Sequence, residues 1–113
     1  MGKYKVVSKR FNIKKNLVEY HLVQMGTWDF FDDFLKVFNK HHKVKIEKSL
    51  DGIFTRKYTL NRDNITFEFE HHEDIGNWFY STSKEAHPFL EKLALNLESM
   101  FCHIPYGKSG NLS

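Results

Sequence analysis

At 113 residues, with 41% hydrophobic, 27% charged and 16% aromatic residues and a net charge of +3, the chain has the make-up of one globular domain that buries about two-thirds of its unfolded surface. That composition excludes a disordered chain, and the lone Cys102 excludes an intrachain disulfide. No window reaches the run of about 18 apolar residues that a membrane span needs, and MGKYKVVSKR has no secretory apolar stretch. The expectation is a cytoplasmic protein without membrane contact. Gly2 does not change it, because Val6 stands where a myristoylation pattern wants Ser or Thr.

In chain order, residues 4–11 are rich in β-formers, and residues 17–25 alternate Val18, Tyr20 and Leu22 with Glu19 and His21. The polar NIKKN between them predicts an opening hairpin. GTWDFFDDFLKVFNKHHK shifts to helical spacing, with Trp28, Phe31, Phe34, Leu35 and Phe38 as its stripe. Thr27 is placed to cap it, and Asp29, Asp32 and Asp33 early with Lys36, Lys40, His41 and His42 late complement a helix dipole. Turn signals SLDG, NRDN and EDIGN then separate four short β-rich runs, 44–48, 53–60, 65–71 and 78–81. A final helix carries Phe89, Leu90, Leu93, Leu97 and Met100, with Pro88 in its first turn. HIPYGKSGNLS has no period.

The order ββαββββα predicts an α+β fold, a single antiparallel sheet of about six strands with two amphipathic helices on one face. Residues 1–103 form the domain and 104–113 a C-terminal tail. Phe34, Phe38, Phe67, Phe69, Leu93 and Leu97 are the expected core. The other face of the sheet is free to meet a partner.

Motifs for catalysis are missing: no glycine-rich phosphate loop, no GxSxG, no HExxH and no CxxC. Cys102 follows Met100 and Phe101 at a helix end, which suits a partly buried thiol better than a nucleophile. The pairs His41/His42 and His71/His72 cannot chelate as pairs, because neighbours on a strand face opposite ways and neighbours on a helix diverge by about 100°. No metal and no cofactor is expected. Glu68 and Glu70 share a strand face about 7 Å apart, within reach of an inverting glycosidase geometry. Alternating acids are also the ordinary way to keep the wet face of ITFEFE soluble, with Ile65, Phe67 and Phe69 turned inward.

Charge is uneven. Residues 1–62 carry a net +8 and residues 63–113 a net −5, and no Lys or Arg occurs between Asp63 and Ser83. An acidic, aromatic-edged hairpin in a basic remainder reads as a docking surface, with Glu68, Glu70, His72, Glu73, Asp74, Trp78 and Tyr80 as the partner-binding residues. Two alternatives set limits on that reading: neighbouring lysines that neutralise the acids, and a core role for Trp78 and Tyr80. A nucleic-acid-associated protein is the runner-up, using Lys3, Lys5, Lys9, Arg10, Lys14 and Lys15 on the first hairpin. Acids interleaved with the sheet aromatics oppose phosphate, so nucleic acid is disfavoured as a partner. An uncharacterised enzyme comes third.

In size, in α+β order over residues 1–101 and in the hairpin FEFEHHEDIGNWFY, the chain resembles the small immunity proteins that bacteria make against their own toxins. The resemblance implies a non-catalytic inhibitor that binds a cognate toxin, often a nuclease with a basic active site. The basic first half departs from a uniformly acidic inhibitor. The expected assembly is a monomer or weak homodimer, self-pairing being open to an exposed edge strand in the first hairpin.

Overall fold

The structure, a computed structural model, describes residues 5–102. The tail assigned to 104–113 and Lys3 of the basic hairpin lie outside the described residues. Six strands form one antiparallel sheet: β1 (Val7–Asn12), β2 (Leu17–Leu22), β3 (Lys45–Asp51), β4 (Thr55–Arg62), β5 (Ile65–His72) and β6 (Gly76–Tyr80). Helix α1 (Trp28–His42) links β2 to β3, and α2 (His87–Phe101) follows a 3₁₀ turn after β6. The order across the sheet is β1-β2-β6-β5-β4-β3. The meander β3 to β6 therefore closes against the first hairpin through β2 and β6, pairing Tyr20 with Phe79 and His21 with Trp78. The α+β architecture expected from the sequence is the one observed.

Period-two alternation sorts each strand into two faces. Tyr20, Leu60, Phe67, Phe69 and Phe79 point to the helices, where all six expected core residues are fully buried. Phe31 stacks on Phe69 with ring centroids 4.2 Å apart, and Phe38 meets Phe67, Phe69 and Phe79 at tilted or edge-on angles. Phe34 against Phe101, edge-on at 5.7 Å, joins the two helices. Rings dominate this core because 11 Phe had to be placed in it or left wet.

Local signals account for the helix ends. Thr27 Oγ1 accepts the Phe30 N–H at 3.3 Å. At the other end Lys43 takes φ 56° and closes the helix, its N–H donating to Asn39 and the Val44 N–H to Phe38. Pro88 sits in the first turn of α2. Glu98 near the end of α2 accepts the N–H groups of Val6 and Val7 at 2.8 and 2.6 Å. Those donors go to a carboxylate and not to a neighbouring strand, and among the described residues β1 begins at Val7.

Two placements differ from the sequence reading. SLDG is not the β3–β4 turn: β3 runs to Asp51, helped by a register shift between Ile46 and Lys48, and the Asp51 carboxylate meets Arg56 directly across the strand. The turn is residues 52–54, closed by Gly52 N–H to Thr55 O at 2.7 Å, which leaves Ile53 and Phe54 outside the sheet. On α1, Trp28 is not a core residue but 36% exposed at the first turn, while Phe30 and Val37 extend the buried arc.

Candidate functional site

Alternation along β5 turns Phe67, Phe69 and His71 toward the helices and Glu68, Glu70 and His72 to the opposite face, which is not the free surface expected, since Leu17, Glu19, His21, Trp78 and Tyr80 on it are buried. β6 does the same with Trp78 and Tyr80, and the register sets Glu68 opposite Tyr80, Glu70 opposite Trp78 and His72 opposite Gly76. Five of the seven expected binding residues thus share one face. Glu73 and Asp74 stand apart from them, exposed in the turn that joins the two strands.

On that face the side chains satisfy one another. The Tyr80 hydroxyl donates to Glu70, and Thr59 donates to Glu68 at 2.9 Å. Burial, with Glu70 next, pushes the Tyr80 phenol well above its ordinary range, so it stays protonated as the donor. Lys15 lies 4.8 Å from the Tyr80 ring centroid and 3.9 Å from Glu70, and Lys57 is opposite Glu70 on β4. One lysine, Lys15, therefore reaches one of the strand-borne acids, Glu70. Trp78 is only 8% exposed and joins Leu17 and Tyr80 in a small second cluster, with its indole N–H buried and unpartnered among the described residues.

Sequence reasoning missed two members of this face. His21 stacks on Trp78 at 5.5 Å and donates to Glu19 at 2.9 Å, and Asn12 donates to the other Glu19 oxygen at 3.0 Å. Burial holds the His21 imidazole below its usual range despite the Glu19 hydrogen bond, which favours the neutral ring. Alternation in LVEYHL marks Glu19 and His21 as a pair, but only the β2–β6 pairing brings them to Trp78.

The β5–β6 turn differs from the strands it joins. Glu73 and Asp74 enter no ion pair among the described residues, and Ile75 between them and Gly76 is 56% exposed. The turn is nevertheless fixed in place. Gly76 has φ +113°, and a Cβ on Gly26 would come within 2.8 Å of the Gly76 backbone, so both positions need glycine. Buried Asn77 donates to the carbonyls of Met25 and Thr27 at 2.9 and 3.0 Å. That fixes its amide orientation, so His71 Nδ1 must be the donor in the 2.8 Å contact with Asn77 Oδ1.

Clefts flank the turn on both sides. A polar one of about 480 Å³ is lined by Arg10, His21, Gln24, Asp74 and Gly76. A more apolar one of about 390 Å³ is lined by Trp28, Ile53, Phe54, His71 and Glu73. Neither contains a constellation of nucleophile, base and orienting group. Among the described residues no group of three or more His, Cys, Asp or Glu side chains is placed to hold a metal ion. His72 Nδ1 accepts the Asp74 N–H, and His42 bonds Asn96 at 2.8 Å, so both histidine pairs split between different surroundings. Cys102 is buried. No described helix is long and apolar enough to cross a membrane.

Cations of the first hairpin are partly engaged within the molecule. Lys9 pairs with Glu91 at 2.6 Å and Lys15 with Glu70. Compared with known proteins, the chain matches no family model, no curated protein sequence and no solved structure.

Proposed function

We propose that the protein is a non-catalytic, cytoplasmic binding protein that inhibits a protein partner by occupying a basic site with its β5–β6 hairpin, in the manner of a toxin-immunity protein. The observation that carries the reading is the contrast within that hairpin. Glu68 and Glu70 have partners along the sheet, whereas Glu73 and Asp74 are held out on a rigid turn and enter no ion pair among the described residues. Charges placed this way contribute little to folding and are free to steer and hold a basic surface. Glu68, Glu70 and His72 would flank the contact, with Trp78 and Tyr80 supporting it from beneath.

The test is affinity capture from the native host with the wild-type chain and with the double variant Glu73→Lys, Asp74→Lys. The partner should be retained by the first and lost by the second. Added wild-type chain should then suppress the partner's own activity at one-to-one stoichiometry. Equal capture by both chains, or capture without inhibition, contradicts the reading.

A further inference from the structure

The apolar cleft beside the turn is assembled from three separate parts of the chain. The β3–β4 turn gives Ile53 and Phe54, 85% and 58% exposed; the start of α1 gives Gly26, Thr27 and Trp28; and β5 with its turn gives His71 and Glu73. The parts are tied together rather than merely adjacent. Glu73 N–H donates to Phe54 O at 3.0 Å, and Trp28 packs edge-on against His71 at 5.4 Å. Arg56 lies under the Trp28 ring at 4.5 Å, with its charge answered by Asp32 at 2.7 Å and Asp51 at 2.9 Å. Burial works against the charged guanidinium, but these hydrogen bonds more than offset it. The Trp28 wall of the cleft is therefore aromatic and backed by a guanidinium that two carboxylates more than balance.

Strand-forming residues at a turn tip usually face solvent at a cost, since nothing in the fold uses them. Here two of them flank a cleft of about 390 Å³, room for one large side chain. Glu73 lines it, and the exposed acids Asp29 and Asp74 are the chain neighbours of its lining residues Trp28 and Glu73. An apolar hollow rimmed by one sign of charge matches an apolar anchor flanked by the opposite sign.

We infer that this cleft is the specificity pocket of the binding surface, taking one large apolar side chain, aromatic or leucine-like, presented on a basic segment of a protein partner. The inference rests on the proposed reading of the β5–β6 turn and adds to it the chemistry of the partner's contact segment. Charge on the turn brings the partner in, and the cleft selects which basic segment stays.

The test uses the full chain, labelled with ¹⁵N, and three synthetic pentapeptides: KKFKK, KKAKK and EEFEE. KKFKK should shift the Trp28 indole and the amides of Ile53, Phe54 and Glu73, and bind at least about tenfold more tightly than the other two. Phe54→Ser, an exposed site whose replacement should leave the remaining spectrum unchanged, should remove the advantage of KKFKK over KKAKK. Ile53→Ser is the second variant, should the first disturb the turn. The inference is overturned if no peptide binds, if KKAKK matches KKFKK, or if the shifts fall on Glu68 and Trp78 instead. It is also overturned if the same signals move with protein concentration alone, which assigns the cleft to a second copy. Partner binding that survives Phe54→Ser but not the Glu73→Lys, Asp74→Lys reversal would defeat the pocket and leave the docking turn standing. Survival of both would defeat the two together.

Discussion

On the helix-covered face of the sheet, rings from β4, β5 and β6 interlock with α1, and these residues belong to the buried core. On the opposite face, side chains from the same strands are joined by hydrogen bonds and ion pairs: Tyr80 to Glu70, Thr59 to Glu68, His21 to Glu19. The first face contributes through area removed from water, the second through matched polar groups whose net worth is small unless one partner is removed. Beyond both lies the β5–β6 turn, whose acids serve neither. Interaction can be located where the fold has least to lose.

The comparison breaks most visibly in the core. Phe67→Ala should destabilise by roughly 3–5 kcal/mol in denaturant unfolding, since the ring is fully buried between Phe38, Phe79 and Phe89. A loss below about 1 kcal/mol would mean that the faces of β5 are assigned the wrong way round. Next comes the tie between turn and helix. Asn77→Ala strips the buried Met25 carbonyl, the partly buried Thr27 carbonyl and the His71 N–H of their partner and should cost about 2–4 kcal/mol, with amide exchange accelerated first at Gly26, Thr27 and Gly76. Uniform acceleration across the sheet would show that the tie is not local.

A smaller effect is expected from pH. Burial keeps His21 and His42 below the ordinary 6.5 in the folded protein. Between the folded and unfolded values the unfolded chain binds more protons, so stability is complete above about pH 6.5 and falls as pH drops below it. Replacing both histidines with Gln should flatten that decline in urea titrations at pH 7.5 and 5.5. A decline that is unchanged in the double variant would assign it to other groups. Smallest of all, reversing Glu73 and Asp74 should move stability by less than about 0.5 kcal/mol, because both are exposed and neither enters an ion pair among the described residues.

What the sequence made legible was the apolar half. Phe34, Phe38, Phe67, Phe69, Leu93 and Leu97 could be named because burial repeats with the period of their element. Thr27 and Pro88 could be placed because capping and first-turn preferences are local. The β2–β6 pairing could not be read, since it joins strands that are far apart in sequence, and with it went the neighbourhood of Glu19, His21 and Trp78. Ile53 and Phe54 were misplaced for another reason: as β-formers they read as strand, while the Asp51–Arg56 pair opposite them had already extended β3. Of the candidate site, the β5 and β6 residues on the face opposite the helices were legible from alternation. The difference between paired Glu70 and unpaired Glu73 depended on Lys15, which arrives from another hairpin.

The central claim is that the turn docks through charge it does not need for folding, and association kinetics with the captured partner test it most directly. The association rate constant should be measured against ionic strength for the wild-type chain and for the Glu73→Lys, Asp74→Lys variant. The account predicts a steep fall with salt for the wild type, and for the variant a slower association with a flattened salt dependence and an unchanged melting temperature. Identical rates and identical salt slopes in the two chains would contradict it.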